Sequence, residues 1–404
     1  MSKKNDDFFV AKREWSKVKD DLLGCYLKPY TSKILFTNKP LMYVDCFAGK
    51  GKFDDGTNGS PMIALGIFEE CLRISNARTP SITSSFIDSK YAEELNGNLS
   101  QFSNITIIDG RYEQVIRQIL ENKQNYNIFL YIDPFGIKSL DFNLFKYFGD
   151  IRCNSIELLI NFNSFGFLRE ACRALPVDGM VRNVIEEDAF EDELDNDEEM
   201  FEGSIKSINE LSEIAGGDYW KDIALRLKKK LINSYTAEKE FSSIYCKQLR
   251  KKFKYVLSMP IRLKQGQQPK YRMIHASNHV EGCILMFDNI TKRKQYLADI
   301  QTQGSITLFE MNVENEVVDT PSIRLDFIKH MRQYSDFTNI LKVTADFIMD
   351  YGVVCDPKDI REIIADLERE NAILVRRTPC INNNGTPYKS LIPTRGHTIE
   401  LRNR

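Results

Sequence analysis

The chain has no uninterrupted apolar run of the roughly 18 residues a membrane helix needs, so no spanning segment is expected. Behind the charged start Met1-Ser-Lys-Lys-Asn-Asp-Asp7 there is no long apolar stretch either. A signal peptide is therefore not expected, and the cytoplasm is the expected compartment. Nine cysteines are scattered without one Cys-x-x-Cys pair, which points to free thiols and away from a structural zinc site. Histidine is scarce, with four in all. His275, His279 and Cys283 share a spacing of four, but His275 reads as strand and a fourth ligand is missing, so packed or hydrogen-bonded histidines are expected and no metal. A complete Gly-x-Gly-x-x-Gly is also lacking, because Asp54 stands where the third glycine would follow Gly49 and Gly51. That disfavours a nicotinamide dinucleotide.

What is present is ample for folding: 404 residues, 42% hydrophobic and 11% aromatic, enough for two domains and a sizeable core. The net charge of −2 hides an asymmetry. Residues 186–202 hold eleven acids and no base, which leaves the rest of the chain at +9. The acidic run reads as a solvated loop, and the moderately basic remainder is compatible with a nucleic-acid partner.

The stretch Leu41-Met-Tyr-Val-Asp-Cys-Phe-Ala-Gly-Lys-Gly51 reads as a buried strand that ends on an acid and breaks into a glycine turn. Before it, residues 8–28 carry Phe8, Trp15, Val18, Leu22, Leu23 and Tyr26 near a 3.6-residue period, a flanking helix that Pro29 should end. After it, Lys52 to Pro61 is loop by composition, either solvated or placed to receive a ligand at the N-terminus of the next helix. Strands then end at Asp88, Asp109, Asp133 and Asn161, with helices between them. Five alternating strands predict a doubly wound parallel sheet, whose ligands lie outside the strands' carboxyl ends. Residues 168–252 read as a helical insertion whose bases, Arg226, Lys228–Lys230, Lys247 and Arg250–Lys252, form either a solvated face or a nucleic-acid contact. Two strands near 253–260 and 271–277 finish the sheet as a hairpin, and a helix from Val280 packs back with Met286, Ile290 and Leu297.

The predicted organisation is thus a helical flank over 1–36, a core over 37–167, the insertion over 168–252, the end of the core sheet over 253–317 and a separate unit over 318–404. In the last, three helices precede the strand Ala372–Arg377 and an extended stretch from Tyr388 to Pro393, the order of a winged helix. Its third helix, Pro357–Glu370, has more acids than bases, so Arg376 and Arg377 in the wing are the better phosphate contacts.

Candidate chemistry sits at the strand ends. A backbone turn at Gly49 and Gly51 admits close approach, with Asp45 and Phe47 framing it. Asp88 is placed to accept from ribose hydroxyls and Asp109 from an adenine amino group. Asp133, Pro134 and Phe135 are placed to hold an amine and stack on a base, although Asp133 also suits a purely structural strand end. Cys46 has no base beside it and reads as a spacer.

Asp45-x-Phe-x-Gly-x-Gly51 resembles the first motif of class I S-adenosylmethionine (SAM) methyltransferases. Asp133-Pro-Phe resembles the Asp/Asn-Pro-Pro-aromatic motif of amino-methyltransferases, without its second proline. Together with Gly59-Ser-Pro61, Phe86-Ile-Asp88 and His275-Ala-Ser-Asn-His-Val-Glu-Gly282, the chain resembles the three-Cys-motif partner proteins, from which it departs at Lys50, where proline is common. The resemblance implies a Rossmann-like methyltransferase fold, SAM as cofactor and a partner protein with a three-cysteine motif. Methyl transfer to nucleic acid at a base nitrogen is the first expectation. A non-catalytic module of a two-protein, phage-defence type system, or SAM as a ligand without turnover, are its rivals.

Overall fold

The structure is a computed structural model and describes residues 9, 12, 14–75, 81–175, 208–262, 269, 271–302, 320–382, 384–394 and 396–404. The acidic run 186–202, the turn 264–268, and the side chains of Phe8, Trp15 and Leu297 lie outside those residues. The chain divides into two units, 1–278 and 279–404.

In the first unit, strands β1 (Leu41–Asp45), β2 (Ile82–Asp88), β3 (Ile105–Asp109), β4 (Asn127–Ile132) and β5 (Ser155–Phe162) alternate with helices α2 (Ser60–Ile74), α3 (Ala92–Leu99), α4 (Tyr112–Ile119) and α5 (Phe142–Asp150). With β6 (Tyr255–Ile261) and β7 (Tyr271–Ser277) they form one sheet in the order β3-β2-β1-β4-β5-β7-β6. The first five strands are parallel, and β7 runs antiparallel to both neighbours. All residues of β1 and β4 are buried, which explains their unbroken apolar reading: a strand covered on both faces has no polar alternation to show. Strand order reverses between β1 and β4, so the crevice of this sheet opens at the ends of those two strands. A mostly parallel, Rossmann-like methyltransferase sheet closed by an antiparallel hairpin is the expected architecture.

Helix α1 runs from Glu14 to Leu35, straight through Pro29. The expectation that Pro29 would end it is corrected by burial. Tyr30, Thr31 and Leu35 beyond the proline are buried, and the Tyr30 ring lies 5.3 Å from that of Phe129 on β4. Packing of this kind offsets the one helical hydrogen bond a proline removes. The insertion supplies α6 (Ser164–Ala174), α7 (Ile208–Ala215), α8 (Trp220–Lys228) and α9 (Ser234–Leu249). It is held to the sheet by stacked rings, Phe162 on Tyr245 at 4.5 Å and Phe167 on Phe241 at 4.4 Å, and by the buried pair Glu238–Arg272.

The second unit contains α10 (Val280–Thr302), α11 (Thr320–Met331), β8 (Thr338–Asn339), α12 (Ile340–Tyr351), α13 (Pro357–Arg369), β9 (Ile373–Thr378) and β10 (Thr398–Asn403). Helix α10, read from sequence as part of the core, packs against α12 and buries Met286, Phe287 and Ile290. The strands form a small antiparallel sheet in the order β8-β10-β9. The partner of β9 is therefore β10, not the predicted stretch from Tyr388 to Pro393. Pro387 and Pro393 bracket that stretch and cannot donate to a ladder, whereas Ile399 and Leu401 alternate into the interior, both fully buried.

Candidate active site

The glycine turn follows β1 with Gly49 at φ +59° and Gly51 at φ +74°, the left-handed region that side chains avoid. Asp88 holds this turn from the neighbouring strand. One of its oxygens accepts from the Gly49 N–H at 2.9 Å, and the other from the N–H groups of Lys90 and Tyr91 at 2.8 and 2.7 Å. Asp88, predicted to meet a ribose, is thus a buried acceptor for three backbone donors. Asp109 is exposed at the end of β3 and, like Asp88, is not on the cleft wall described next. Phe47 does line the cleft, with its ring 5.4 Å from that of Tyr112.

The cleft lies over the ends of β1, β4 and β5 and has about 880 Å³ of space free of protein atoms, its open mouth included. Gly49, Gly51, Ser60, Asp133, Pro134, Phe135 and Asn161 line it, so the turn and the Asp133-Pro-Phe stretch share one wall. Phe135 is 47% exposed, unusual for an aromatic ring in a cleft. Asp133 is more heavily engaged. Lys19 Nζ donates to its two oxygens at 2.9 and 2.8 Å, Asn161 Nδ2 at 2.6 Å and the Tyr131 hydroxyl at 3.2 Å.

Helix α1 therefore forms a wall of the site as well as a packing flank. It contributes Ser16, Lys19 and Asp20 to the cleft. Lys19 had a legible signal: it lies four residues from Trp15 and three from Leu22, on the apolar stripe, where a charge has no solvated face to occupy. Asp20 pairs with Lys12, which also donates to the carbonyl of Asn58. Phe9 packs over the turn, its ring 4.9 Å from Tyr91 and 5.7 Å from Phe53. A Cβ on Gly49 would lie 3.0 Å from the Phe9 ring. No signal in the sequence marked that contact.

Burial sets the charge state of the site. It pushes the Asp45 carboxyl up to about 7, against hydrogen bonds from Ser60 Oγ at 2.6 Å and the Phe47 N–H at 3.2 Å. It also raises Asp20 to about 6, against the attraction of Lys12. Asp20 and Asp133 line the cleft together with Lys19, whereas Asp45, a predicted cofactor contact, is fully buried on Ser60 and the Phe47 N–H and does not line it. Cys46 is buried, and burial carries its thiol well above the usual range, as a spacer requires.

Other candidates fall elsewhere. His275 is buried on β7, with Nε2 3.0 Å from Glu157, which also accepts from Tyr26 and Ser277. Lys228 donates to the carbonyls of Cys172 and Leu175 at the end of α6, Arg226 binds Asp222 and Glu240, and Lys252 binds Asp150. These bases serve the insertion's own structure. Of the wing arginines expected as phosphate contacts, Arg376 pairs with Glu400 and Arg377 forks onto Glu368 at 2.6 and 2.7 Å.

No family model and no curated protein matches the chain. Two solved structures are similar to it in part. One is titled "Putative methyltransferase yhhF from Escherichia coli", at 16% identity and a TM-score of 0.21, over 34% of this chain and 68% of that one. The other is a geranyl diphosphate methyltransferase in complex with GPP and sinefungin, at 11% identity and a TM-score of 0.24, over 62% and 78% respectively. At those scores the likenesses carry no argument, and the fold class rests on strand order, a Rossmann-like, mostly parallel sheet with one antiparallel hairpin at its edge.

Proposed function

We propose that this protein is a SAM-dependent methyltransferase acting on nucleic acid at a base nitrogen. The observation that carries this reading is the meeting, in one cleft at the sheet's switch point, of the glycine turn and Asp133-Pro-Phe with its exposed ring. SAM would supply an electrophilic methyl group on a sulfonium, and the carboxylates of Asp20 and Asp133 on the cleft wall favour such a cation. Ser60, positioned by Asp45 beneath it, and the backbone at Gly49 and Gly51 would hold it once Phe9 leaves the turn. Asp133 would accept an N–H of the acceptor amine, keeping its lone pair aimed into the cleft, while Phe135 stacks on the base. The second unit, with a helix order and small sheet like those of a winged helix, would guide the partner by its fold, since Arg376 and Arg377 are already paired.

One observation favours the alternative, a non-catalytic methyltransferase-like module that works with a three-cysteine-motif protein: Phe9 covers Gly49 and Lys19 occupies Asp133. Calorimetry with SAM separates the two readings, because a module that has lost the cofactor gives no heat at millimolar ligand. Transfer of a tritiated methyl group to DNA and RNA tests the acceptor. Asp133→Ala is expected to lose about 100-fold or more of that transfer, and equal labelling by the variant removes Asp133 from the chemistry.

A further inference from the structure

A carboxylate offers about four lone-pair sites, and at Asp133 all of them are used: two by Lys19 Nζ, one by Asn161 and one by Tyr131. Lys19 is 7% exposed, comes from an element more than a hundred residues away in sequence, and has its ammonium 5.1 Å from the ring centroid of Tyr271. The cleft therefore already holds an amine nitrogen, bound to a carboxylate beside an aromatic face. A second observation concerns Asn161. Its Nδ2 donates to Asp133, but its Oδ1 is buried and has no hydrogen-bond partner among the described residues. Buried carbonyl oxygens of this kind cost stability unless a donor reaches them.

We infer that Lys19 is a displaceable internal occupant of the acceptor subsite, and that the ligand's exocyclic amine takes its place on Asp133. This rests on the reading of the cleft as a methyl-acceptor site and names its ligand class: bases that carry an amino group, of the adenine or cytosine kind. An exocyclic amine has two N–H groups. One replaces the Lys19 ammonium on Asp133, and the other reaches Asn161 Oδ1 as the cover over it opens. Lys19 withdraws toward Asp20, which lines the same cleft, and can donate to the ring nitrogen beside the amine. An oxo base offers a carbonyl at that position, which Asp133 and Asn161 Oδ1 would both repel. Lys19 is thus an internal competitor for Asp133, while the preference for a ligand with donors lies with Asp133 and Asn161 Oδ1 themselves.

The test is ligand-observed NMR of the full chain and of Lys19→Met with adenosine, cytidine, inosine and uridine, without cofactor. Adenosine or cytidine is expected to bind Lys19→Met at least tenfold more tightly than the parent protein, with inosine and uridine unchanged. Lys19→Gln, one atom shorter and with a neutral amide donor in place of the ammonium, is expected between the two and serves if the methionine variant fails to fold. Affinity that is unchanged, or that shifts equally for all four nucleosides, overturns the inference and leaves the methyltransferase reading standing. No nucleoside binding to any of the proteins overturns both this inference and the base-nitrogen acceptor. Binding of n-butylamine, but of no nucleoside, to Lys19→Gln would assign the subsite to alkylammonium ligands and overturn the inference as well.

Discussion

Asp45 offers the most direct test of the site's electrostatics. Its side chain is fully buried and its carboxyl is raised to about 7, chiefly by desolvation. In the unfolded chain the same group titrates near 3.8. Between those values the folded state holds a proton that the unfolded state has released, so stability falls as pH rises through that window. Each pH unit costs about 1.4 kcal/mol, and the full penalty above pH 7 is about 4 kcal/mol. Asp45→Asn removes the ionisation while keeping an acceptor for the Phe47 N–H and a donor toward Ser60 Oγ. Both tryptophans, at positions 15 and 220, belong to the first unit, so urea unfolding followed by their fluorescence reports on that unit alone. At pH 4 the two proteins should have nearly equal stability. By pH 8 the asparagine variant should be the more stable by a few kcal/mol, with the gap opening between pH 4 and 7 and then flat. Asp20 contributes a similar slope to both proteins and cancels in the difference. A gap that stays constant from pH 4 to pH 8 refutes the reasoning, because Asp45 would then titrate alike in both states.

Gly59→Ala would bring a Cβ to 3.0 Å from the Gly51 carbonyl oxygen, a backbone atom that cannot swing aside. A loss of about 1–3 kcal/mol in the same unfolding assay is expected, together with weaker SAM binding by calorimetry. Phe135→Ala should leave stability within about 0.5 kcal/mol, since the ring is half exposed, yet weaken single-stranded nucleic acid by about 1–3 kcal/mol in a fluorescence-anisotropy titration. Arg377→Ala breaks the fork onto Glu368 that ties β9 to α13, and should cost the second unit about 1 kcal/mol. Its nucleic-acid affinity and salt dependence should not change, because that guanidinium is already occupied.

Much of the sheet was legible because β1 and β4 are buried on both faces, which leaves continuous apolar runs that end on Asp45 and just before Asp133. The acids at strand ends were equally visible, but their roles were not. A carboxylate at the end of β2 looks the same in sequence whether it faces a ribose or, as Asp88 does, three backbone N–H groups. The distinction depends on how the chain turns at Gly49. Pro29 misled because local propensity was outweighed by burial of Tyr30 and Leu35. Strand β10 was missed because its register is set by Ile399 and Leu401, two short alternations after an irregular stretch. Lys19 was readable as a charge on an apolar stripe, whereas its partner at Asp133 could only come from the folded chain.

The latch and the charge balance together constrain how the site opens. Helix α1 is tied at two points, through Asp20 to Lys12, which donates to the Asn58 carbonyl, and through Lys19 to Asp133 at the end of β4. Breaking a largely buried pair and leaving its carboxylate bare costs about 3–5 kcal/mol, a disadvantage of roughly a hundredfold to several thousandfold. A ligand that offers a carbonyl meets that cost together with the repulsion of Asp133 and Asn161 Oδ1, and the repulsion alone excludes it even where Lys19 is removed. One that returns two N–H groups to Asp133 and Asn161 Oδ1 recovers most of it, and so shifts the population toward the open form by its own differential contacts. The same step frees an ammonium beside Asp20, whose ionised form it favours. Ligand entry and proton release are therefore linked on this reading. Binding of an amino nucleoside at pH 6.5 in buffers of different ionisation heat should release a fraction of a proton, and Asp20→Asn should reduce it. Identical calorimetric heats in all buffers would separate the latch from the carboxylates and leave selectivity to shape alone.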